Sequence, residues 1–313
     1  MKKSTLISAW YAILPSHILK NKPMSIKRFG IDLVLWRQNN HQLSIFLDRC
    51  PHRGAKLSLG KVHDDHIQCP FHGFRFDSQG QCAFAPEFNK RIPGLQARCF
   101  QTREAFDMIW IYWGEGTPQL FEYQALSDIH TQFKTYSFIQ KIWNSHITYC
   151  IENQLDYTHL PFVHKSTIGK GFKMPENPKV VTSDQQISTY FDNQDTPATT
   201  FLFSNAWILN ISKQMKLVLY FCPIDEAQTQ LYLYSYRQFL SQPIIKKMVD
   251  PLINLSNRII LKQDQNVVAS QGTLPSYLAK EDRLMRHDQA IRDFRQIWTK
   301  GLINERIEPD MQN

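Results

Sequence analysis

The 313-residue chain has no apolar run approaching the roughly 18 residues that a membrane-spanning helix needs. It has no G-x-G-x-x-G fingerprint, so nothing in it signals a dinucleotide fold for nicotinamide or flavin. No internal repeat and no low-complexity segment is present, which removes repeat architectures and disordered linkers from consideration. Its six cysteines include no C-x-x-C pair, the spacing that zinc fingers use. Acidic residues are the scarcer charge: 28 against 36 basic ones, a net charge of +8. The basic residues are scattered rather than striped and accompany no binding motif, which argues against nucleic acid as a partner. Met1-Lys2-Lys3 followed by apolar residues 6–14 loosely imitates a signal peptide. Trp10, Tyr11, His17 and the lack of a small-residue cleavage site argue otherwise, so the segment is read as a first β-strand. Cysteines without obvious pairing fit a reducing cytoplasm.

What is present is a pair of metal-ligand constellations. The first is Cys50-Pro51-His52 and Cys69-Pro70-Phe71-His72, two arms separated by residues 53–68. Each arm supplies one thiolate and one imidazole. A two-iron cluster with two thiolates on one iron and two imidazoles on the other needs this set, with each arm spanning both irons. Pro51 and Pro70 stiffen the loops by fixing φ. Gly54 and Gly73 close them where φ is positive or where backbone must approach the cluster. A single zinc ion could use the same four residues, but zinc sites favour C-x-x-C and H-x3–5-H pairs over mixed arms.

The second constellation lies in residues 146–164. Asn153, Asp156 and His159 recur every three residues, on one face of a predicted helix. His164 would point elsewhere on an unbroken helix, and Pro161 is expected to end or kink it, swinging His164 back toward His159. Two imidazoles and one carboxylate make a facial triad that leaves coordination positions open. The segment 249–271 reads as a helix with its apolar face at Leu252, Leu255, Ile259, Ile260, Val267 and Val268. Asp264 falls on that inward face, and a buried carboxylate must be paired or bind a metal. Asp250 and Asp225 are the fallback carboxylates.

Strands are expected at 31–36 and 43–47 around a polar turn, at 74–76 and 81–84 around Asp77-Ser78-Gln79-Gly80, and at 108–113. The Gly114–Pro118 stretch marks a boundary. Beyond it come a strand near 136–142, the ligand helix, and short strands at 200–203, 207–211, 217–221 and 230–236. The Asp264 helix and an amphipathic helix at 286–299 follow. Phe201, Phe203, Trp207 and Tyr220 are either core or the walls of a substrate pocket, with core the expectation.

The two cluster arms, read as Cys-Pro-His-Arg-Gly-Ala and Cys-Pro-Phe-His-Gly-Phe, resemble the Rieske domain of ring-hydroxylating and related Rieske oxygenases. Respiratory Rieske proteins carry an extra cysteine in each loop, and these loops have none. The run Asn153-x2-Asp156-x2-His159-x4-His164 resembles the mononuclear-iron motif of the same oxygenases position by position. Asp264-x2-Val267-x3-Gln271 resembles their third-ligand segment, although Gln263 stands where an acidic residue is common. The likeness extends over nearly the whole chain, to the short homotrimeric monooxygenase and demethylase branch that includes vanillate and dicamba O-demethylases and saxitoxin-pathway hydroxylases.

The resemblance implies an α+β chain. An all-β Rieske [2Fe–2S] domain would occupy residues 1–117. A helix-grip domain with mononuclear non-haem Fe(II), a curved antiparallel sheet with helices, would occupy 118–313. It implies that Cys50, His52, Cys69 and His72 hold the cluster and that His159, His164 and Asp264 hold the iron. Asp156 would bridge electron transfer between subunits, and Asn153 would be a nearby polar residue. A separate NAD(P)H-dependent reductase, through a ferredoxin or directly, would supply electrons for O2 activation and hydroxylation or demethylation of a small organic substrate. The net positive charge suits an acidic electron donor, or simply solubility. A cis-dihydroxylating dioxygenase, an electron carrier lacking the second iron and an inactive paralogue with both metals stay open at this point.

Overall fold

A computed structural model of the protein describes residues 6–307, apart from 115, 119, 193, 204 and 273. It divides into two compact units, Trp10–Trp113 and the remainder, in which the segment up to Ala9 groups with the chain from Gly114 onward.

The first unit is all β. Alternating apolar residues build Ile31–Arg37 and Leu43–Leu47, which pair antiparallel between Met24–Arg28 and Cys99–Phe100. A second sheet runs Lys61–His63, His66–Gln68, Arg75–Phe76, Gln81–Ala85, Lys90–Gln96. A third holds Ala9–Pro15, Met108–Trp113 and Thr102–Ala105. The turn expected at Asp77–Gly80 forms: Gly80 N–H donates to the Asp77 carbonyl at 2.9 Å, with Gly80 at φ +77°. A Cβ there would meet the Ala97 carbonyl oxygen at 2.1 Å, so only glycine fits. The core contains Val34, Trp36, Phe46, Leu57, Ile67, Phe74 and Phe76, with Cys50 and Cys69 among them. Complete burial of Trp36, Phe46 and Phe76 contributes roughly 1.5–3 kcal/mol each before entropy is counted. That rigid mass is what holds the two cysteine loops.

The second unit is a seven-stranded antiparallel sheet gripping helices. Its order is Thr135–Trp143, Thr229–Arg237, Met215–Pro223, Ala206–Ser212, Thr199–Leu202, Gln186–Tyr190, Lys179–Thr182. The register lays one apolar row across six strands: Ile187, Phe201, Trp207, Leu219, Leu233, Ile139. All six are buried. Helices cover this face. Phe294 of the C-terminal helix, Gln289–Ile307, packs on Phe201 and Phe203, with ring centroids 5.7 and 6.1 Å apart. Asn257 on the long helix Pro243–Val268 donates to Ser235 Oγ at 2.7 Å. Phe201 and Phe203 are therefore core, as expected. Tyr220 alternates with Leu219 and faces the opposite side, where it contacts Tyr234, so the four aromatic candidates do not line one pocket.

The helices are α1 (Gln124–Gln132), α2 (Ile147–Leu155), α3 (Leu160–Val163), α4 (Pro243–Val268) and α5 (Gln289–Ile307). Among the described residues no helix is long and apolar enough to cross a membrane.

Two expectations are corrected. On α4 the apolar face expected to turn inward is exposed at Leu252, Leu255, Ile259 and Val267, and the helix buries Asn257, Leu261, Asp264 and Val268. The ligand helix does not run on to Pro161; it ends at Leu155. Asp156 takes an extended conformation, φ −84° and ψ 120°, and its Oδ1 accepts from Thr158 N–H and Thr158 Oγ–H, both at 2.6 Å. That side-chain turn competes with helix continuation. Pro161 then lies in the first turn of α3, where a missing N–H costs nothing because those donors have no helical partner anyway. The proline starts a new helical turn and does not terminate the old one.

Candidate functional site

In the first unit the two cysteine loops are built alike. Gly54 N–H donates to the Cys50 carbonyl and Cys50 N–H to the Ala55 carbonyl, each at 2.8 Å. Gly73 N–H donates to the Cys69 carbonyl at 3.1 Å and Cys69 N–H to the Phe74 carbonyl at 2.8 Å. Gly54 and Gly73 sit at φ +79° and +71°, the left-handed turn that lets each loop double back. The loops bury Cys50 and Cys69 and leave His52 and His72 exposed. The two imidazoles lie close, with ring centroids 4.8 Å apart. Thiols inside and imidazoles at the tip are segregated by polarity. A cluster with one sulfur-ligated and one nitrogen-ligated iron needs that separation, and a tetrahedral single ion does not. Burial, reinforced by the neighbouring Cys69, pushes the Cys50 thiol up to about 11, against opposing backbone N–H groups of His52 and Arg53. A coordinated metal would remove that proton outright. The donor set fits a Rieske cluster.

In the second unit His159, His164 and Asp264 converge, with one ligand atom from each within 4.8 Å of the others. His159 sits at the entrance to α3 and His164 at its exit, so four helical residues between them bring both rings to one point. The rings are 5.3 Å apart at 64°. Asp264 reaches them from α4: its Oδ1 lies 2.9 Å from His164 Nε2 and 3.5 Å from His159 Nε2. Asp264 and His164 are buried. Burial pushes Asp264 upward, but the hydrogen bonds and charge of His159 and His164 outweigh it and hold the carboxyl at about 2. Burial likewise disfavours the charged form of His159, and Asp156 and Asp264 overcome it, raising that imidazole to about 9. Two nitrogens and one carboxylate oxygen facing one point can hold a divalent metal and leave positions free for other ligands.

Of the remaining predicted residues, Asp156 Oδ2 lies 3.5 Å from His159 Nδ1, on the far side of that ring from Asp264. Asn153 lies on α2, and its Nδ2 is buried with no hydrogen-bond partner. The fallback carboxylates are committed elsewhere. Asp250 is paired with Arg237 and Lys246, and Asp225 Oδ1 accepts from Ala227 N–H at 3.0 Å.

Two residues of consequence were not singled out for their roles. Gln263 Oε1 accepts from His164 Nδ1 at 2.8 Å. Its sequence signals are adjacency to Asp264 and its place where the resembling segment commonly has an acidic residue. His146 caps α2, its Nδ1 accepting from Thr148 N–H at 3.3 Å.

Comparisons with known proteins cover the segments that carry both sets. Residues 9–101 match the Rieske [2Fe-2S] domain, and residues 143–207 match the vanillate O-demethylase oxygenase C-terminal domain. The oxygenase component of chloroacetanilide N-alkylformylase from Rhizorhabdus wittichii is 30% identical over 66% of this chain and 59% of its own length. The oxygenase component of dicamba O-demethylase from Stenotrophomonas maltophilia is 32% identical over 51% of this chain and 48% of its own. The matches thus span about half to three fifths of these relatives. Dicamba monooxygenase bound to dicamba shares the fold, with a TM-score of 0.75 at 22% identity over 96% of this chain and 98% of that one. NdmA of Pseudomonas putida gives 0.77 at 22% identity over 94% of each chain. The cysteine loops fall inside the first match and the two histidines inside the second, and this shared order makes the chain a member of the Rieske non-haem iron oxygenase family.

Proposed function

We propose that the chain is the terminal oxygenase component of a multi-component system that hydroxylates a small organic substrate or removes a methyl or alkyl group from it. The observation that carries this reading is the convergence of His159, His164 and Asp264 in a chain that also bears a Rieske domain. An electron carrier would have no use for a second metal position. The names of the relatives, an O-demethylase and an N-alkylformylase, support the monooxygenase branch over cis-dihydroxylation.

In this reading residues 1–117 hold the cluster through Cys50, His52, Cys69 and His72, and residues 118–313 hold the mononuclear iron through His159, His164 and Asp264. When bound, the cluster supplies single electrons and the iron supplies a place for O2 to be activated. The chain's own residues do the rest. Exposed His52 and His72 offer an electron exit at the tip of their loops. Asp156 orients His159 through its Nδ1 and presents a carboxylate to whatever docks there. Asn153 is a polar neighbour on the same helix. Phe71, beside His72, and Phe162, between His159 and His164, are 58% and 77% exposed. Large apolar side chains flanking both ligand sets support a head-to-tail homotrimer, in which the cluster of one copy serves the iron of the next. Electrons would come from a separate NAD(P)H-dependent reductase, with or without a ferredoxin, and the net charge of +8 suits an acidic donor. The four cysteines outside the cluster loops, none of them in a disulfide, support a cytoplasmic, reducing setting.

The test is iron and acid-labile sulfide on anaerobically purified protein. About three irons and two sulfides per chain are expected. Two of each, unchanged by added Fe(II), would sink the oxygenase reading and favour the electron carrier.

A further inference from the structure

The two imidazoles of the proposed iron site are backed differently. His159 Nδ1 faces a carboxylate, Asp156, at 3.5 Å. His164 Nδ1 faces a neutral amide, Gln263, at 2.8 Å. Gln263 is also tied to the turn that follows His164: its Oε1 accepts from Thr167 Oγ–H at 3.0 Å, and its Nε2 donates to Ser166 Oγ at 3.3 Å. One side chain on α4 thus grips residues 164, 166 and 167 together. It is only partly buried, so packing alone does not explain the arrangement.

A carbonyl oxygen carries no proton and can only accept. With Oε1 against Nδ1, that nitrogen must carry a proton, and Nε2, the atom facing Asp264, is the one that can offer a lone pair to a metal. Were the amide reversed, its N–H would claim the Nδ1 lone pair, and the neutral ring would carry its proton on Nε2, where it could not ligate. Resting on the metal-site reading above, we propose that Gln263 is a positioning residue: it fixes the tautomer and the ring plane of His164, so that consecutive residues of α4 supply the carboxylate ligand and orient a histidine ligand. The segment needs an acceptor at this position, not a charge. Hydrogen-bond partners of ligating histidines carry 10- to 100-fold of metal affinity in general.

The experiment is Fe(II) titration of cluster-loaded protein, with the Co(II) absorption bands as a second report on the ligand set. Gln263→Leu keeps helix propensity and removes the acceptor; Gln263→Glu keeps an acceptor. Gln263→Leu should weaken Fe(II) binding about 10- to 100-fold and alter the Co(II) bands, with melting temperature and Rieske visible spectrum unchanged. Gln263→Glu should bind Fe(II) at least as tightly as the parent, with parental Co(II) bands. Parental affinity in Gln263→Leu overturns the inference, as does equal weakening in both variants. His164→Ala serves as the control for the reading beneath it: if the parent protein takes up no more Fe(II) than this variant, the metal site itself falls, and the inference with it.

Discussion

At the scale of single residues, Asp264 shows how the cost of a buried charge is met. A buried carboxylate is tolerated only if something pairs with it, and the two imidazoles that pair with it are the partners a metal would share. Asp264→Ala is therefore expected to lose the mononuclear iron and activity while keeping the Rieske visible spectrum, which metal analysis alongside the spectrum checks. Asp156→Asn keeps an Oδ1 acceptor for Thr158 but removes the charge beside His159. Both metals should remain and electron transfer between them should stop, seen as an unoxidised cluster in single-turnover experiments. His146 gives a prediction in pH. Burial lowers its pKa from the usual 6.5 to about 4. Below pH 6.5 the unfolded chain takes up a proton that the folded chain refuses, so stability falls as pH drops from 6.5 toward 4. Urea unfolding at pH 7.5 and pH 5 should show about 2 kcal/mol of this loss, absent in His146→Asn, which keeps a capping side chain. The convergence of His159, His164 and Asp264 was anticipated from spacing and residue type. Gln263 and His146 were not, since their roles exist only in hydrogen bonds that form after folding.

At the scale of elements, strand positions follow directly from alternation: 43–47 and 108–113 are the observed Leu43–Leu47 and Met108–Trp113. The break in the ligand helix was anticipated from Pro161 but arises at Asp156, because a local side-chain turn leaves no pattern as plain as a proline. Pro251 sits inside α4 without ending it, which propensity alone would not suggest. Also invisible in sequence is the clamp between α2 and α5. Arg295 donates to both oxygens of Glu152, at 2.8 Å each, and to Asp282, while Ser276 Oγ donates to Glu152. Glu152 is separated from Arg295 and from Ser276 by more than a hundred residues, and no periodicity links them. Arg295→Leu strands a buried carboxylate. It should cost about 3 kcal/mol, read as a shift in the denaturation midpoint, and it should loosen the helix that precedes Asp156.

At the scale of the molecule, the change in pattern over Gly114–Pro118 put the expected boundary after residue 117, while the compact units part after Ala9 and after Trp113. What composition could not reveal is that the second unit is discontinuous. Residues 6–9 group with it, and Gly301 on α5 makes room for Ile7: a Cβ there would meet Ile7 Cγ2 at 2.7 Å. The chain also leaves the first unit beside its point of arrival. Trp10 and Tyr112 are in ring contact at 5.6 Å, Ser16 N–H donates to the Asp107 carbonyl, and a Cβ on Gly114 would lie 2.4 Å from Ser8 Oγ. The first unit is thus spliced into the sequence of the second like a cassette whose two leads share one socket. Joining Ala9 to Gly114 through a few flexible residues should give a shortened protein that folds cooperatively and binds one Fe(II) but shows no Rieske spectrum. In such an architecture, the β module can be exchanged for another with neighbouring ends without recutting the sheet-and-helix unit that carries it.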